Sequence, residues 1–512
     1  MSETLNREPE VVNGRPVIRF KGVAGHLPSG RHASPPIRSC RDFPKDGNKL
    51  VGSLKEALTK ADLRDGMVIS THHHLRNGDE VAMAVFNAAT ELGVRNLVWF
   101  PSASFPCHAP LIECLESGVI HHIEGSLNGA LGEFASRGRM MGTAVLRSHG
   151  GRYRAIQDGD VRIDIAVIAA PTADAFGNAT GVVGPSACGS LGFAVADAQY
   201  ADHVIVVTDN LVPFPCLPIQ IYGNSVDQVV KVDRIGDPNQ IVSGTTQVTK
   251  SPERLRIAKL AADLVVAAGL VQNGFSFQAG AGGTSLAFTQ FLGNKMAELG
   301  VTASFARGGS TEVLVSMLES GLVGAILDGQ TFDLTGVRSL RENPNHVPTS
   351  PFISYNYHGK GNVASMVDVA VLGATEIDLQ FNANVVTHSD GLLLHGLGGW
   401  SDALFAGFTV LTVPTFRNRV PIIRDQLTTL CGPGELVDAV VTERGIAVNP
   451  SRTDILERLT GCDLPLVSLQ ELKDSAEKMC GGKPDLPELT DQSIGVVEWV
   501  DGTVIDVVWG VA

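Results

Sequence analysis

Apolar runs alternate with amphipathic segments along most of the chain. Residues 67–71 and 95–100 are rich in β-branched and aromatic side chains, which predicts two short strands. Between them, Asp79 is a predicted N-cap for a helix that runs to Glu91, and Gly93 is predicted to end it. Because strand–helix–strand alternation favours parallel strands, the pattern predicts an α/β fold.

This pattern occurs twice along the chain. Four segments of the first copy return in the same order in the second, at offsets between 203 and 207 residues (318 − 115 and 298 − 91 at the extremes). The matched pairs are residues 91–94 with 298–301, 115–118 with 318–321, 163–179 with 367–383, and 191–192 with 397–398. One match could be a chance likeness of two βα units, but four in order predict two similar open-sheet domains from an internal duplication.

The predicted domain boundary is a turn-rich stretch at residues 236–245, before Ser251-Pro252, which is typical of a helix start. Residues 1–50, which carry many Pro, Gly and basic residues, are a predicted N-terminal arm. The first domain then covers 51–240 and the second 250–512. The second includes a C-terminal hairpin, since Asp501-Gly502 separates two alternating apolar runs.

Composition narrows the class of function. With 512 residues and a net charge of −14, nucleic-acid binding is improbable, because phosphate backbones are held by clustered Lys and Arg. Eight cysteines occur without a Cys-x-x-Cys pair, which predicts reduced packing residues. There is no apolar signal core at the N-terminus and no run of about eighteen apolar residues, so we expect a cytosolic protein.

The candidate catalytic centre combines Glu376 with a glycine-rich turn. Glu376 follows the predicted strand 367–372, and at the repeat offset of 204 it falls on Thr172 (376 − 172). Backbone N–H groups of Gly398 and Gly399, close to Gly396, could converge on a developing oxyanion in acyl transfer. Because one domain has a carboxylate at this strand end and the other has a hydroxyl, we predict a single site, located between the domains. An ordinary glutamate beside a tight turn is the alternative.

A second glycine-rich turn follows the predicted strand 275–277. In Gln278-Ala-Gly-Ala-Gly-Gly-Thr-Ser285, Gly280, Gly282 and Gly283 precede a helix and could hold a phosphate or carboxylate. The motif lacks the full Gly-x-Gly-x-x-Gly spacing and has no Lys, which disfavours a dinucleotide or ATP site. The alternative is a tight βα turn.

Candidate anion-binding cations follow two other strands. If residues 71–78 are extended, His72, His74 and Arg76 share one face and suit a polycarboxylate. Arg417 and Arg419 follow a strand that ends near residue 413, and paired arginines can hold carboxylates. The alternatives are histidines satisfied at a domain contact and arginines in surface salt bridges. Metal binding is disfavoured, because adjacent histidines lack zinc-ligand spacing. No Gly-x-Ser-x-Gly elbow occurs, which disfavours a serine hydrolase.

Six segments carry a resemblance to a known family. They are Ile69-Ser-Thr-His-His-His-Leu-Arg-Asn-Gly-Asp79, Ser148-His-Gly-Gly151, Ala169-Ala-Pro-Thr-Ala-Asp174, Ser186-Ala-Cys-Gly-Ser190, His395-Gly-Leu-Gly-Gly-Trp-Ser-Asp402 and Thr442-Glu-Arg-Gly-Ile-Ala-Val-Asn-Pro450. Across nearly its whole length the chain resembles the α subunits of citrate lyase, a citrate CoA-transferase family similar to other CoA-transferases. That family's two similar α/β halves agree with the duplication predicted above.

The resemblance implies a reaction and its partners. An acetyl thioester on an acyl carrier (gamma) subunit and citrate would give the citryl thioester and acetate, through a mixed anhydride in a ternary complex. No permanently bound cofactor is implied, because the CoA-type prosthetic group belongs to the carrier. A lyase β subunit and a homo-oligomer within the complex are implied partners. Glu376 matches the position of the CoA-transferase glutamate that forms covalent intermediates.

The resemblance leaves three alternatives open. They are a transferase acting on free acyl-CoA, a citramalate lyase α subunit, and a non-catalytic ligand-binding module on the same scaffold. A binding module would have no use for Glu376 beside a glycine-rich turn, which counts against the last.

Overall fold

The computed structural model describes residues 8–23, 25–26, 35–36, 39, 43–242, 247–360 and 362–512. Parts of the predicted N-terminal arm and of the predicted boundary at 236–245 lie outside these residues. The strands in the described part are β1 (Val11–Val12), β2 (Arg15–Pro16), β3 (Leu50–Val51), β4 (Val68–Thr71), β5 (Leu97–Pro101), β6 (Ile120–Ile123), β7 (Ala144–Leu146), β8 (Ile165–Ala169), β9 (Thr172–Asp174), β10 (Ala179–Thr180), β11 (His203–Thr208), β12 (Leu211–Val212), β13 (Gln228–Lys231), β14 (Ser276–Ala279), β15 (Phe305–Ser310), β16 (Ile326–Thr331), β17 (His346–Pro348), β18 (Val369–Leu372), β19 (Glu376–Asp378), β20 (Ala383–Asn384), β21 (Phe408–Thr412), β22 (Phe416–Arg417), β23 (Val420–Pro421), β24 (Ile423–Arg424), β25 (Ala439–Thr442), β26 (Gly445–Val448), β27 (Leu489–Glu498) and β28 (Val504–Val511).

The helices in the same residues are α1 (Leu54–Lys60), α2 (Val81–Glu91), α3 (Ile112–Glu116), α4 (Ala130–Ser136), α5 (His149–Asp158), α6 (Ala194–Tyr200), α7 (Pro252–Ala267), α8 (Gly283–Leu299), α9 (Glu312–Glu319), α10 (Leu334–Glu342), α11 (Pro351–Ser354), α12 (Trp400–Ala403), α13 (Thr453–Arg458) and α14 (Leu469–Cys480). Ser251 is confirmed as the N-cap of α7, since its side chain accepts from the Arg254 N–H. The N-cap residue of α2 is Glu80, one residue after the predicted Asp79, although the Asp79 carboxylate accepts from the backbone N–H groups of Val81 and Ala82. None of the described helices is long and apolar enough to cross a membrane.

Two large sheets form the framework. The first has the order β3-β13-β11-β8-β4-β5-β6 and is parallel throughout. The second has the order β17-β16-β15-β14-β18-β21-β25-β26 and is parallel except for β26. Central strands such as β8 are buried at every residue, as expected for a sheet covered on both faces. The predicted α/β class is confirmed.

The two sheets repeat one another in strand order. β13-β11-β8-β4-β5-β6 in the first half corresponds to β25-β21-β18-β14-β15-β16 in the second. Each half also carries a small three-stranded sheet, β10-β9-β12 or β20-β19-β24, directly after its central strand. In both small sheets an aspartate accepts from an asparagine amide at 2.9 Å, Asp174 from Asn178 and Asp378 from Asn382. This repetition is what the predicted duplication requires.

Both chain ends pack on the first half. The predicted C-terminal hairpin is formed by β27 and β28, with Gly502 (φ +92°) in its turn, and β27 pairs in parallel with β7. The hairpin that the sequence assigns to the second domain therefore extends a sheet of the first half. Phe20 of the N-terminal arm donates its N–H to the Val504 carbonyl, so arm and hairpin lie together.

The two halves share apolar packing. The hydrophobic cluster around the first sheet includes residues of the second half such as Leu372, Ile377 and Trp400. A separate cluster surrounds the second sheet. The seven described cysteines are free, and several of them, such as Cys188, are buried in this packing.

Candidate active site

The glycine-rich turn of the second half meets helix α5 of the first. Ser148 and Gly398 form an isolated parallel β-bridge, and the His149 N–H donates to the Gly398 carbonyl at 2.7 Å. The Asp402 carboxylate accepts from the Ser148 hydroxyl at 2.9 Å and from the Gly150 N–H at 3.0 Å. Backbone and side-chain bonds therefore join the halves at this turn.

The crossing is too tight for a side chain at Gly150. A Cβ there would lie 2.3 Å from Asp402 Oδ1 and 2.3 Å from the Tyr355 carbonyl oxygen. Asp402 is fully buried, and burial raises its pKa to about 7 against the lowering effect of the Gly150 and Ser148 hydrogen bonds. The contact between the halves therefore depends on a carboxyl group whose pKa lies close to neutral pH.

Gly398 and Gly399 lie inside this contact. Gly398 has a φ of +59°, and a Cβ on Gly399 would lie 2.8 Å from the Tyr355 hydroxyl, so both positions favour glycine. The bridge with Ser148 pairs the Gly398 backbone with the first half. An oxyanion role for these N–H groups stays a prediction.

Glu376 does not lie in an open cleft. It begins β19, its exposure is 0%, and its carboxylate pairs with Arg424. It also accepts from Thr428 N–H at 2.8 Å, Thr428 hydroxyl at 2.9 Å and the Asn384 amide at 2.9 Å. Glu376 is therefore not open to solvent, because donors from residues 384–428 enclose both of its carboxylate oxygens. A catalytic role for Glu376 stays a prediction.

Thr172 occupies the corresponding position in the first half. It pairs with Thr180 across β9 and β10, just as Glu376 pairs with Asn384 across β19 and β20. The Thr172 hydroxyl donates to the Val183 carbonyl at 2.8 Å. The repeat offset therefore places a hydroxyl and a carboxylate at equivalent strand positions.

The segment after β4 is not extended, so the predicted alternation of its side chains is wrong. The chain turns after His74 into a 3₁₀ helix over Arg76–Gly78, and Arg76 has a φ of +52°. The rings of His72 and His74 do stack, with centroids 5.7 Å apart. His72 Nε2 lies 3.1 Å from the Asp197 carboxylate, and both side chains are fully buried in the first half.

His73, which the sequence reasoning passed over, contacts the second half instead. Its Nε2 lies 3.1 Å from the Gln330 side-chain oxygen, and the Gln330 amide donates to the His73 carbonyl at 3.1 Å. Burial lowers the pKa of His73 well below its usual range, so its ring is neutral.

Arg76 also reaches the second half. Its guanidinium lies between the rings of Phe105 and Phe332, at 4.9 and 4.7 Å from their centroids. Burial lowers its pKa to about 10, which leaves it charged at neutral pH. The side chain remains a candidate for carboxylate binding.

Arg307 on β15 is the second residue that sequence reasoning missed. It is 2% exposed, donates from Nη1 to the Gln278 side-chain oxygen at 2.8 Å and lies 4.0 Å from the Tyr355 ring centroid. Tyr355 in turn accepts from the Gln278 amide at 3.1 Å. No carboxylate of the described residues lies within 4.0 Å of the Arg307 guanidinium. The sequence signal was an arginine at the end of an apolar run, directly before Gly308-Gly309.

His149, within the Ser148–Gly151 segment, also has its ring among these groups. It stacks on His73 at 5.7 Å and packs edge-on against Phe193 at 4.6 Å. Burial, with the positive charges of Arg152 and Arg307 nearby, lowers the pKa of His149 to about 3. Its imidazole is therefore neutral at physiological pH.

The turn at Gly280–Gly283 has the predicted form. Gly280 donates its N–H to the Val371 carbonyl at 2.9 Å, and Gly282 is the N-cap of α8 without a side-chain cap. Gly282 is exposed, and a Cβ on Gly283 would lie 2.7 Å from the Gln247 carbonyl. At the start of this 17-residue helix Gly282 is therefore exposed, whereas Gly283 packs against Gln247. Binding of a thioester group there stays a prediction.

Arg417 and Arg419 lie on a separate small hairpin, β22–β23. Arg417 is half-buried, and burial with the charge of Arg254 lowers its pKa. Arg419 is exposed in the hairpin turn, with φ +64°. The described contacts place neither arginine against Arg307 or His73.

Across the residues that the structure describes, no group of three or more His, Cys, Asp or Glu side chains has an arrangement that could hold a metal ion. His121 and His122 lie on β6, where the His122 ring contacts Glu124 at 3.2 Å.

Comparison with known proteins decides the family. The family model for the citrate lyase alpha subunit matches residues 47–511. The chain belongs to the citrate lyase alpha subunit family. It is 42% identical over 462 residues to the citrate lyase alpha chain of Escherichia coli, covering 90% of each chain. With the citrate lyase alpha chain of Haemophilus influenzae it shares 41% identity over 481 residues, covering 94% of this chain and 96% of the other.

Solved structures agree with this membership. A crystal structure described as the alpha subunit of citrate lyase in complex with citrate, from Streptococcus mutans, is 39% identical, covers 96% of each chain and has a TM-score of 0.89. A 4-hydroxybutyrate CoA-transferase from Porphyromonas gingivalis, 16% identical, has a TM-score of 0.52 and covers 84% of this chain and 97% of the other. The second likeness shows the fold alone, which is that of the CoA-transferases.

Proposed function

We propose that this chain is the acyl-exchange enzyme of a citrate lyase, which converts an acetyl thioester and citrate to a citryl thioester and acetate. Membership of the citrate lyase alpha subunit family over residues 47–511 supports the reaction class. The similar structure from Streptococcus mutans, described as a complex with citrate, supports the substrate.

The observation that carries the proposal is the environment of Arg307. A buried cation is expensive unless a negative charge pairs with it. Arg307 is 2% exposed, and Gln278 and the Tyr355 ring contact its charged end. The carboxyl on which it acts electrostatically, Asp402, forms no ion pair with it within 4.0 Å and has its pKa raised to about 7 by burial. A substrate carboxylate would complete this site through a bidentate pair, the geometry that guanidinium groups favour.

Citrate has three carboxylates, and further groups where the halves meet suit them. Arg76 contacts Phe332, directly after strand β16, and His73 contacts Gln330 on β16. Both therefore lie on the same surface between the halves. Of the cations predicted from sequence, Arg76 is the one we retain for citrate. We assign His72 and His74 a supporting role, because both are buried, with His72 against Asp197 and His74 stacked on His72.

The exchange proceeds in two displacements. A citrate carboxylate oxygen attacks the acetyl thioester carbonyl and the C–S bond breaks. The thiolate departs, and the product is a mixed citric–acetic anhydride. The thiolate then attacks the citryl carbonyl of the anhydride, the C–O bond breaks, and acetate leaves. We infer that Glu376 takes no covalent part, because both its oxygens already accept hydrogen bonds in a buried ion pair.

The thioester would reach the site on an acyl carrier protein with a CoA-type prosthetic group. The N-terminus of α8 at Gly280, Gly282 and Gly283, where Gly282 is exposed, suits a phosphate or thioester carbonyl of that group. Arg417 and Arg419 suit its phosphates, since Arg417 lies within electrostatic reach of Arg254 and Arg419 is exposed on the same hairpin. A lyase β subunit, a homo-oligomeric assembly and a cytoplasmic location complete the proposal.

The test measures acetate released from acetyl-CoA, used in place of the carrier thioester, with and without citrate. We expect release that depends on citrate. Arg307→Met should raise KM for citrate about ten- to a hundred-fold, because a lost charge-assisted hydrogen bond costs about 1.5–3 kcal/mol. The matched control is Arg338→Met, whose side chain is 43% exposed in α10 and pairs with Glu319.

Two results would count against the proposal. Acetate release that is independent of citrate would indicate a thioester hydrolase. An unchanged KM for citrate in Arg307→Met would remove Arg307 from the substrate site. A parallel assay with citramalate in place of citrate shows which of these two closely related compounds is the substrate.

A further inference from the structure

We propose that His149 is a catalytic residue of the exchange, whose imidazole donates a hydrogen bond to the acyl oxygen as negative charge develops on it. The proposal rests on the acyl-exchange function above and assigns a donor within that reaction. It follows from the position of the ring, its neighbours and its charge.

The ring lies beside a gap at the glycine-rich turn. A Cβ built on Gly398 would have a single atom of another residue within 4 Å, the His149 Nε2 at 3.8 Å. His149 is half-buried, whereas His72, His73 and His74 are buried, so it keeps access to the gap. A small group such as a thioester carbonyl can therefore approach this ring nitrogen.

The position of the ring is fixed in advance. The His149 N–H donates to the Gly398 carbonyl at 2.7 Å, and Ser148, held by Asp402 at 2.9 Å, caps α5 directly before it. The ring itself is packed against His73 and Phe193. A donor that needs no reorganisation during the reaction is the arrangement that stabilises transition-state charge most effectively.

The charge of the ring matches this role. The partial burial of the ring and the nearby positive charges of Arg152 and Arg307 all lower the pKa of His149, which keeps the imidazole neutral. A neutral imidazole carries one N–H and can donate it, but it has little tendency to take up a proton near pH 7. The other groups close to it are His73, itself neutral, and Asp402, which is bonded to Ser148 and Gly150.

The proposed step conserves all atoms and electrons. When the citrate carboxylate oxygen adds to the thioester carbonyl, the C=O π electrons move to the carbonyl oxygen, which His149 stabilises through its N–H. The electrons return to carbon as the C–S bond breaks and the thiolate leaves. His149 keeps its proton throughout, so no co-reactant is needed.

The test compares donor and non-donor replacements in the full-length protein with acetyl-CoA and citrate. His149→Phe keeps an aromatic ring for stacking but has no donor, and kcat should fall about 10²- to 10³-fold, the usual effect of losing an oxyanion donor. The KM for citrate should change less than about threefold. His149→Gln restores an N–H donor and should recover at least tenfold of the loss. His388→Gln, at a half-buried histidine in the turn before Leu392, is the control and should match the wild type.

A second readout follows the ring itself. In ¹⁵N-histidine NMR of the wild type, the signal that disappears in His149→Gln should show a neutral imidazole from pH 8 to pH 5. A signal that titrates near 6.5 would indicate acid–base chemistry and overturn the proposal. Equal kcat for His149→Gln and His149→Phe would overturn it as well.

The outcome also separates this proposal from the function on which it rests. If the wild type releases no acetate in a citrate-dependent way, the acyl-exchange function fails and the donor role falls with it. If the wild type is active and a folded His149→Phe keeps full kcat, the donor role alone is wrong. Melting temperatures identify misfolded variants, and His149→Ala provides a second non-donor replacement if the phenylalanine does not fit.

Discussion

Replacing Glu376 by glutamine removes the negative charge that pairs with Arg424 inside the second half. Both side chains are buried, at 0% and 2% exposure, and the glutamate carboxylate also accepts from Thr428 and Asn384. The neutral amide keeps the shape of the side chain. It leaves the Arg424 guanidinium without its counter-charge, because the other described contact of that guanidinium is the Asp485 carbonyl at 3.1 Å.

The expected loss of stability is large. Breaking one partner of a buried ion pair costs about 3–5 kcal/mol, because an uncompensated charge remains inside the protein. For 512 residues the entropy of unfolding is about 1 kcal/mol per kelvin if the shared core makes the halves unfold together. The melting temperature of Glu376→Gln should therefore fall by about 3–5 °C.

Thermal unfolding followed by circular dichroism, with the citrate-dependent assay on the same samples, measures both effects. The control is Glu91→Gln, which breaks the exposed Lys55–Glu91 pair and should change stability by less than about 1 kcal/mol. We also expect no enzyme thioester in the wild type after borohydride or hydroxylamine treatment. A Glu376→Gln variant with unchanged melting temperature and lost kcat would refute this reasoning and favour a catalytic carboxylate.

Three further variants test the inter-half contact. Asp402→Asn should gain stability relative to the wild type as pH rises from about 4 to 7, because a carboxyl whose folded pKa is raised loses folding stability over that window; melting temperatures at pH 5 and pH 8 measure the difference. Gly150→Ala should lower the melting temperature by an amount equivalent to about 1–3 kcal/mol, since its Cβ would lie 2.3 Å from Asp402 Oδ1. Arg76→Ala should raise KM for citrate about ten- to a hundred-fold while leaving that for acetyl-CoA nearly unchanged, and steady-state kinetics with each substrate varied measures both values.

Much of the fold could be predicted because its signals are local or repeated. Asp79 and Ser251 accept from helix N–H groups two or three positions away, and Asp501-Gly502 forms its hairpin from adjacent strands. The repeat offset placed Thr172 and Glu376 at the same strand position. The pairing of the C-terminal hairpin with β7 could not be predicted, since those strands are about 350 residues apart in the chain.

The candidate site was less predictable because its contacts cross between elements. The burial of Glu376 depends on Arg424 and Thr428, and no local pattern links them to it. The alternation assumed for residues 72–76 failed because Arg76 adopts a left-handed conformation in a turn. Arg307 lies within a strand, and the alternation of side chains along a strand does not show that one of its charged side chains is buried in the site.

The most direct test of the account is the mass of the thioester formed from acetyl-CoA and citrate in a single turnover. The account predicts that the wild type converts acetyl-CoA to citryl-CoA with one acetate released for each citryl group formed. Arg307→Met should form the same product only at raised citrate concentration, whereas Arg338→Met should behave as the wild type. Loss of acetyl groups without any citryl-CoA, or full conversion by Arg307→Met at low citrate, would contradict it.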